Sequence, residues 1–294
     1  MSNELHLADV ERFSVSIVIP SLEPNDSLLR LLTSLENQEM NFRQIVIVDQ
    51  SDSLDAVGIL NGYRGSLRDH VQVVSSKPGL SKARNAGLLA LEPGWDVVLL
   101  PDDDVWMAPG IGRAIEIALR NGNTAGSGRL RPEDPSKGTR IAFPDEEKQI
   151  TARNVWRTSI EACYFLTPSF LSDVGLYDET LGLGAKSPWQ SGEGTDLLLR
   201  GLAAGHKISF VPDYELIEGD SPTLVQLHNN TRLRKYARGT GRVFAQNYSK
   251  WSCAKLIFRS LARLVVQSPQ GADAIKRNSQ ILLGRLEGLL GRAI

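Results

Sequence analysis

VVLLPDDDVWMAPG, residues 97–110, opens with four apolar residues, Val97 to Leu100, that read as a short strand buried on both faces. Pro101 ends the run, and Asp102, Asp103 and Asp104 follow at once. An apolar strand that delivers acids at its carboxyl end is how open α/β sheets build ligand sites. Three adjacent carboxylates repel one another, and a divalent cation would remove that cost. Hard oxygen ligands of this kind suit Mg²⁺ or Mn²⁺, which in turn hold the phosphates of a nucleotide. The plainer alternative is a solvated acidic loop. The buried strand just before the acids, with Trp106 and Pro109 closing the loop, favours the metal or nucleotide site.

Three strands of the same character precede it. SVSIVI, residues 14–19, is a β-branched run ending at Pro20; a second run, Ile45 to Val48, ends in Asp49; a third covers Val71 to about Ser75. Leu28, Leu31, Leu32 and Leu35 have helical spacing behind the turn and cap residues Pro24 to Ser27. Strand, helix and strand in that order make a βαβ unit with a right-handed crossover. Asp49 then leaves the sheet at the same edge as Pro20. Ser81 is the expected cap of a helix carrying Arg84, Asn85 and Gly87, and a helix from Ile111 stops at Asn121-Gly122. The first strand is followed by neither GxGxxG, which argues against a dinucleotide-type Rossmann domain, nor GxxxxGK[ST], so this is not a P-loop NTPase. Without a glycine-rich cradle the phosphates need another positive charge, for which the ion at the triple-Asp loop and Arg84 are the candidates.

VSIVIPSLEPNDSLLRLLTSL, IVIVDQSD, GLSKARNAGL and LLPDDDVWMAPG, in this order and spacing, resemble the motifs of family 2 glycosyltransferases of the GT-A fold. The resemblance covers residues 14–245 and rests on the ordered set. Ser21, Leu22 and Glu23 stand where the family often has Thr, Tyr and Asn, and Gln50 replaces a frequent Asp. The resemblance implies an α/β fold, GT-A-like, with a Rossmann-related, mostly parallel sheet flanked by helices and a C-terminal helical tail. It divides the chain into a nucleotide-sugar-binding half (1–122), an acceptor-binding half of the same domain (123–227) and a basic helical extension (228–294). Implied donor contacts are Pro20, Ser21, Glu23, Asp49, Arg84, Asp102 and Asp103. Implied ligands of Mn²⁺ or Mg²⁺ are Asp104 first, then Asp102 and His228.

SGEGTDLLLRGLAAG, residues 191–205, carries the expected catalytic acids, Glu193 and Asp196, at the start of a helix read from Thr195 to Ala204. Three apart, they can face the same way; Asp196 can also pair with Arg200. The family commonly has Gly-Glu-Asp here, the second acid serving as general base, and that position is Gly194. Glu193 is the nearest surviving carboxylate and Asp196 the second candidate. Residues 123–160, rich in Gly, Pro and charge, read as a surface excursion with little core. Residues 208–213 read as a last strand, and the resemblance suggests that Arg238 and Arg242, around RGTG, contact the diphosphate.

The 294 residues are 41% hydrophobic and 23% charged, an ordinary globular composition. Formal charge is −1, but from His228 onward thirteen Lys and Arg face two acids, a net +11. Such a tail suits an anionic surface such as lipid head groups, or simply has soluble outer faces. Cys163 and Cys253 fit no metal pattern and read as reduced packing residues. No basic start followed by an apolar run is visible, and no stretch of 18 apolar residues exists, so a cytoplasmic protein is expected, peripheral on the inner face of the membrane through its tail. The expected partners are a nucleotide-diphosphate sugar donor, a saccharide or lipid-linked acceptor of cell-envelope polysaccharide or glycoconjugate synthesis, and an anionic membrane; nucleic acid is not among them. The rival readings are a catalytically inactive sugar-nucleotide-binding protein, motivated by Gly194, and a nucleotidyltransferase, which needs a glycine-rich Arg signature that SLEPNDS lacks.

Overall fold

The four apolar runs form the parallel half of one sheet. In the computed structural model, which describes residues 13–139, 141–219 and 230–293, they are β1 (Ser14–Ser21), β2 (Asn41–Asp49), β3 (Val71–Ser75) and β4 (Val97–Leu99), ordered β3-β2-β1-β4. All three pairings are parallel. Ile17, Val18, Ile19, Val46, Ile47, Val48, Val98 and Leu99 are fully buried, as strands covered by helices on both faces require. Helix α1 (Ser27–Glu36) buries Leu28, Leu31, Leu32 and Leu35, the four residues at helical spacing. Helices α2 (Asp55–Gly62) and α3 (Leu80–Leu89) complete the crossovers. The chain moves outward from β1 to β3 and returns to the other side of β1. The carboxyl ends of β1 and β4 therefore bound a topological switch point, where open sheets bind ligands.

Beyond β4 the sheet becomes mixed. It continues through β8 (Tyr164–Leu166), β6 (Ala125–Pro132), β9 (Ile208–Glu218) and β5 (Val105–Met107), with β7 (Lys148–Gln149) paired to β9. β8 is antiparallel to β4 and β6, β6 is parallel to β9, and β5 is antiparallel to β9. The triple-Asp loop is thus tied at both ends, by β4 and by β5, whose Trp106 lies 3.2 Å beneath the Arg30 guanidinium. Helices α4 (Ile111–Arg120), α5 (Val155–Thr158), α6 (Pro168–Val174) and α7 (Glu193–Ala203) flank this half. Next come α8 (Asn230–Asn247), α9 (Lys250–Gln267) and α10 (Ala272–Leu290).

Three sequence expectations are corrected here. Residues 123–160 are a surface excursion only in their middle, 131–139 and 141–149, since β6 runs through the middle of the sheet with Ala125 to Gly128 buried. Its small residues serve close packing: a Cβ on Gly126 would come within 2.3 Å of the Phe165 ring, and one on Gly128 within 1.9 Å of the Tyr214 carbonyl oxygen. Ser81 does not cap α3. The helix starts at Leu80 behind Gly79, whose φ of 139° suits glycine, and Ser81 Oγ donates instead to the Leu181 carbonyl at 2.6 Å. The last strand is also longer than read, reaching Glu218 because β5 and β6 both pair with it.

Candidate active site

At the switch point the end of β1 meets the loop after β4. Ser21 Oγ donates to the Asp103 carboxylate. Next to it, Arg84 of α3 donates from Nη2 to Asp102 Oδ1 at 2.7 Å. The Arg84 side chain is only 1% exposed, so this cation is sealed beneath a half-buried carboxylate. Its other arm, Nη1, lies 2.8 Å from Oε1 of Glu161, which sits in the turn (Glu161–Cys163) entering β8. Glu193, on the first turn of α7, is buried beside the same pair. Loop, helix and sheet thus deliver Asp102, Arg84, Glu161 and Glu193 into one connected cluster.

Burial dominates the electrostatics. It works against the charge on Arg84, but the Glu161 and Asp102 carboxylates outweigh it and hold the guanidinium firmly protonated. Burial raises Glu161 well above the ordinary carboxylate range, against the pull of Arg84 and with the repulsion of Glu193 and Asp102 added. It raises Glu193 as well. Asp103 is pushed up to about 7 by burial, with Asp104 and Asp102 adding to the shift and the Ser21 hydroxyl opposing it.

A carboxyl whose folded value lies above its unfolded value of 3.8 favours the fold fully at low pH, and loses that contribution as pH rises toward 7. In metal-free buffer the protein should therefore lose stability between about pH 4 and pH 7. Asp103→Asn should flatten this dependence by about 2 kcal/mol, roughly half of what three pH units convert to, because the side chain is partly solvated. Urea midpoints across pH check this, and equal slopes in the two proteins would refute it.

Of the other expected site residues, Pro20 and Ser21 are buried at the end of β1 and Glu23 is exposed in the following turn. Asp49 is fully buried, and both its oxygens are engaged: Oδ1 accepts from the Ser51 N–H at 2.8 Å and Oδ2 from the Ala56 N–H at 2.8 Å. It braces the start of α2. Glu193 and Asp196 do not share partners. Asp196 accepts from Arg200 Nε at 2.9 Å and from Asn247 Nδ2 at 2.8 Å, tying α7 to α8. Arg238 donates to Glu287 of α10 at 2.6 Å. His228 lies outside the described residues. Glu161 was not singled out by sequence; a glycine at 194 was the only hint that a side chain from elsewhere would fill that space.

The acids fit a cation only in part. Burial and mutual repulsion leave Asp103 poorly ionised beside Asp102 and Asp104, a strain that an ion at the loop would relieve. Yet among the described residues no three Asp, Glu, His or Cys side chains form a ready-made cage. That donor set suits an ion such as Mg²⁺, which takes one or two carboxylates and completes its shell with water and substrate phosphate.

Several solved structures share this architecture. A mannosyltransferase of Pyrobaculum calidifontis, described in complex with GDP-Man and Mn²⁺, matches with a TM-score of 0.66 at 13% identity, over 97% of this chain and 89% of that one. TarS 1–349 of S. aureus, in complex with UDP-GlcNAc, matches with a TM-score of 0.57 at 14% identity, over 95% and 92%. GalNAc-T7, with UDP, GalNAc and Mn²⁺, matches with a TM-score of 0.58 at 15% identity, over 92% and 55%. These likenesses give the fold, a GT-A-type mixed sheet with flanking helices. No curated protein matches the sequence. The glycosyl transferase family 2 model matches residues 16–168, which hold the parallel strands, the triple-Asp loop, Arg84 and Glu161. The chain is a glycosyltransferase and belongs to glycosyl transferase family 2.

Proposed function

We propose that the protein transfers a sugar from a nucleotide-diphosphate sugar to an acceptor hydroxyl, in one step and with inversion, at the switch point between β1 and β4. The observation that carries this reading is the cluster at that edge, where a fully buried Arg84 holds Asp102 with one arm and Glu161 with the other, and Glu193 is buried close by. The nucleotide sugars named with the mannosyltransferase and TarS structures support the donor class.

In this reading Ser21, Asp103 and Asp102 bind the donor, and Arg84 fixes Asp102 from below. Asp104 and Asp102, with His228, would hold Mg²⁺ or Mn²⁺, which when bound neutralises charge on the leaving diphosphate. The acceptor oxygen attacks the anomeric carbon opposite the diphosphate. As that bond forms the carbon–oxygen bond to the diphosphate breaks, and the hydroxyl proton passes to the Glu193 carboxylate. A single displacement inverts the anomeric centre. Incubation with UDP- and GDP-sugars, an oligosaccharide or lipid-linked acceptor and Mn²⁺ should release nucleoside diphosphate and yield a product of opposite anomeric configuration. Release with retained configuration would refute the one-step displacement, and binding without release would identify a sugar-nucleotide-binding protein.

The acceptor side is proposed to meet an anionic membrane through α9. Trp251, Phe258 and Val265, seven residues apart and so on one helix face, are 70%, 72% and 70% exposed. Lys255, Arg259 and Arg263 are exposed on the same helix, which contains no acid. Among the described residues no helix is long and apolar enough to cross a membrane, so the contact is interfacial. Each Lys or Arg near an anionic surface is worth about 1 kcal/mol. The protein should float with phosphatidylserine-containing liposomes at low salt and be released by high salt; equal flotation with neutral lipid would contradict this.

A further inference from the structure

Gly194 is the residue beside the proposed base, and the space at its Cα is occupied. A Cβ built there would lie 2.8 Å from Glu161 Cδ, 2.9 Å from its Cγ and 3.1 Å from its Cβ. No side chain can share that place with Glu161 in its present position. Glu161 comes from a different part of the fold, the turn before β8, and is 33 residues distant in sequence. Its side chain is 17% exposed, so it lines the cluster instead of forming its floor.

We infer that Glu161 is a positioning residue for Glu193: filling the room that glycine leaves at 194, it pairs with Arg84 through one oxygen and hydrogen-bonds the Glu193 carboxylate with the other. The inference rests on the reading of Glu193 as the base. One side of the bridge is the 2.8 Å ion pair from Arg84 Nη1 to Oε1, and the other is the approach of Glu161 to the first turn of α7, where it packs on Gly194, the residue after Glu193. Two buried carboxyls in contact share one proton, because both cannot be charged at that distance. With Glu193 read as the base, and so ionised before transfer, the shared proton is the one on Glu161; Asp102, Tyr164 and Tyr177 also face the cluster. A neutral acid at 161 leaves Asp102 and Glu193 as the two carboxylates around Arg84. Glu161 thereby keeps Glu193 ionised and fixes the direction of its free lone pairs, without itself touching the reacting atoms.

The test is nucleoside diphosphate release, with the UDP- or GDP-sugar that the wild-type protein turns over fastest in Mn²⁺, read as kcat and donor KM. Glu161→Gln should stay within about threefold of wild type, because its amide oxygen still pairs with Arg84 and its NH₂ still donates to Glu193. Glu161→Ala should lose about 100-fold in kcat at unchanged donor KM, the usual cost of a reacting group misplaced by an ångström. Gly194→Ala should do the same and also lower Tm, since Glu161 must shift from its Cβ outward to make room beside Arg84. Wild-type kcat in either alanine variant would overturn the inference, as would Glu161→Gln as inactive as Glu161→Ala, which would make an ionised Glu161 the reacting group. Glu193→Gln separates the two levels of the claim. If it is inactive while Glu161→Ala is active, only the inference fails; if it is fully active, the reading of the base fails with it.

Discussion

Glu193→Gln should bind donor as wild type does and transfer sugar about 10²–10⁴-fold more slowly, the usual worth of a positioned general base. The substitution keeps size and most hydrogen bonding but cannot take a proton. Glu193 is suited to the role because burial raises its proton affinity while Arg84, close by, keeps the ionised form accessible. Asp196→Asn should behave differently. Both Asp196 oxygens are engaged, by Arg200 and by Asn247, so the cost should fall on stability, about 1–2 kcal/mol, with little change in rate. Donor-binding titrations and single-turnover rates on the two variants distinguish them. A wild-type rate in Glu193→Gln together with an inactive Asp196→Asn would show that the wrong carboxylate has been assigned.

Asp104→Ala should abolish metal-dependent donor binding. The proposed ion loses its first protein ligand, while Asp102 and Asp103 remain to repel the diphosphate. Since the described residues offer no complete cage, the loss of one carboxylate is not compensated by others. The expected result is a loss of at least about 100-fold in donor affinity with Mn²⁺ present, in line with the several kcal/mol that a metal contributes to holding charge. Calorimetric titration of donor into the variant with and without Mn²⁺ reads this. Unchanged affinity in the presence of Mn²⁺ would remove Asp104 from the metal site.

The parallel half of the fold was legible because β1, β2 and β4 are buried on both faces, and such strands appear as uninterrupted β-branched runs like SVSIVI and QIVIVD. The acids after β4 were legible for the same reason: a buried run fixes where the loop must emerge. β6 was not, because its first residues are small where Phe165 and Tyr214 press on them, and AGSG reads locally as turn. Asp49 and Asp102 look alike in sequence, each an acid just beyond a strand. Only the fold shows that one is spent on the N–H groups of residues 51 and 56 while the other faces Arg84. Glu161 lay furthest from sequence reasoning. Its place follows from the missing side chain at Gly194, a complementarity between two distant segments that no periodicity or local motif encodes.

The central claim is that the switch point between β1 and β4 binds a nucleotide-diphosphate sugar together with a divalent cation. Thermal unfolding against a panel of UDP-, GDP-, CDP- and dTDP-sugars, each with Mn²⁺ and with EDTA, tests it most directly. A ligand at 100 times its Kd stabilises by about 2.7 kcal/mol, which for a chain of this size raises Tm by about 5 °C. At least one nucleotide class should give such a shift with Mn²⁺, reduced in EDTA and absent in Asp104→Ala. No shift from any nucleotide sugar under either condition, in a protein that unfolds cooperatively, would contradict the account.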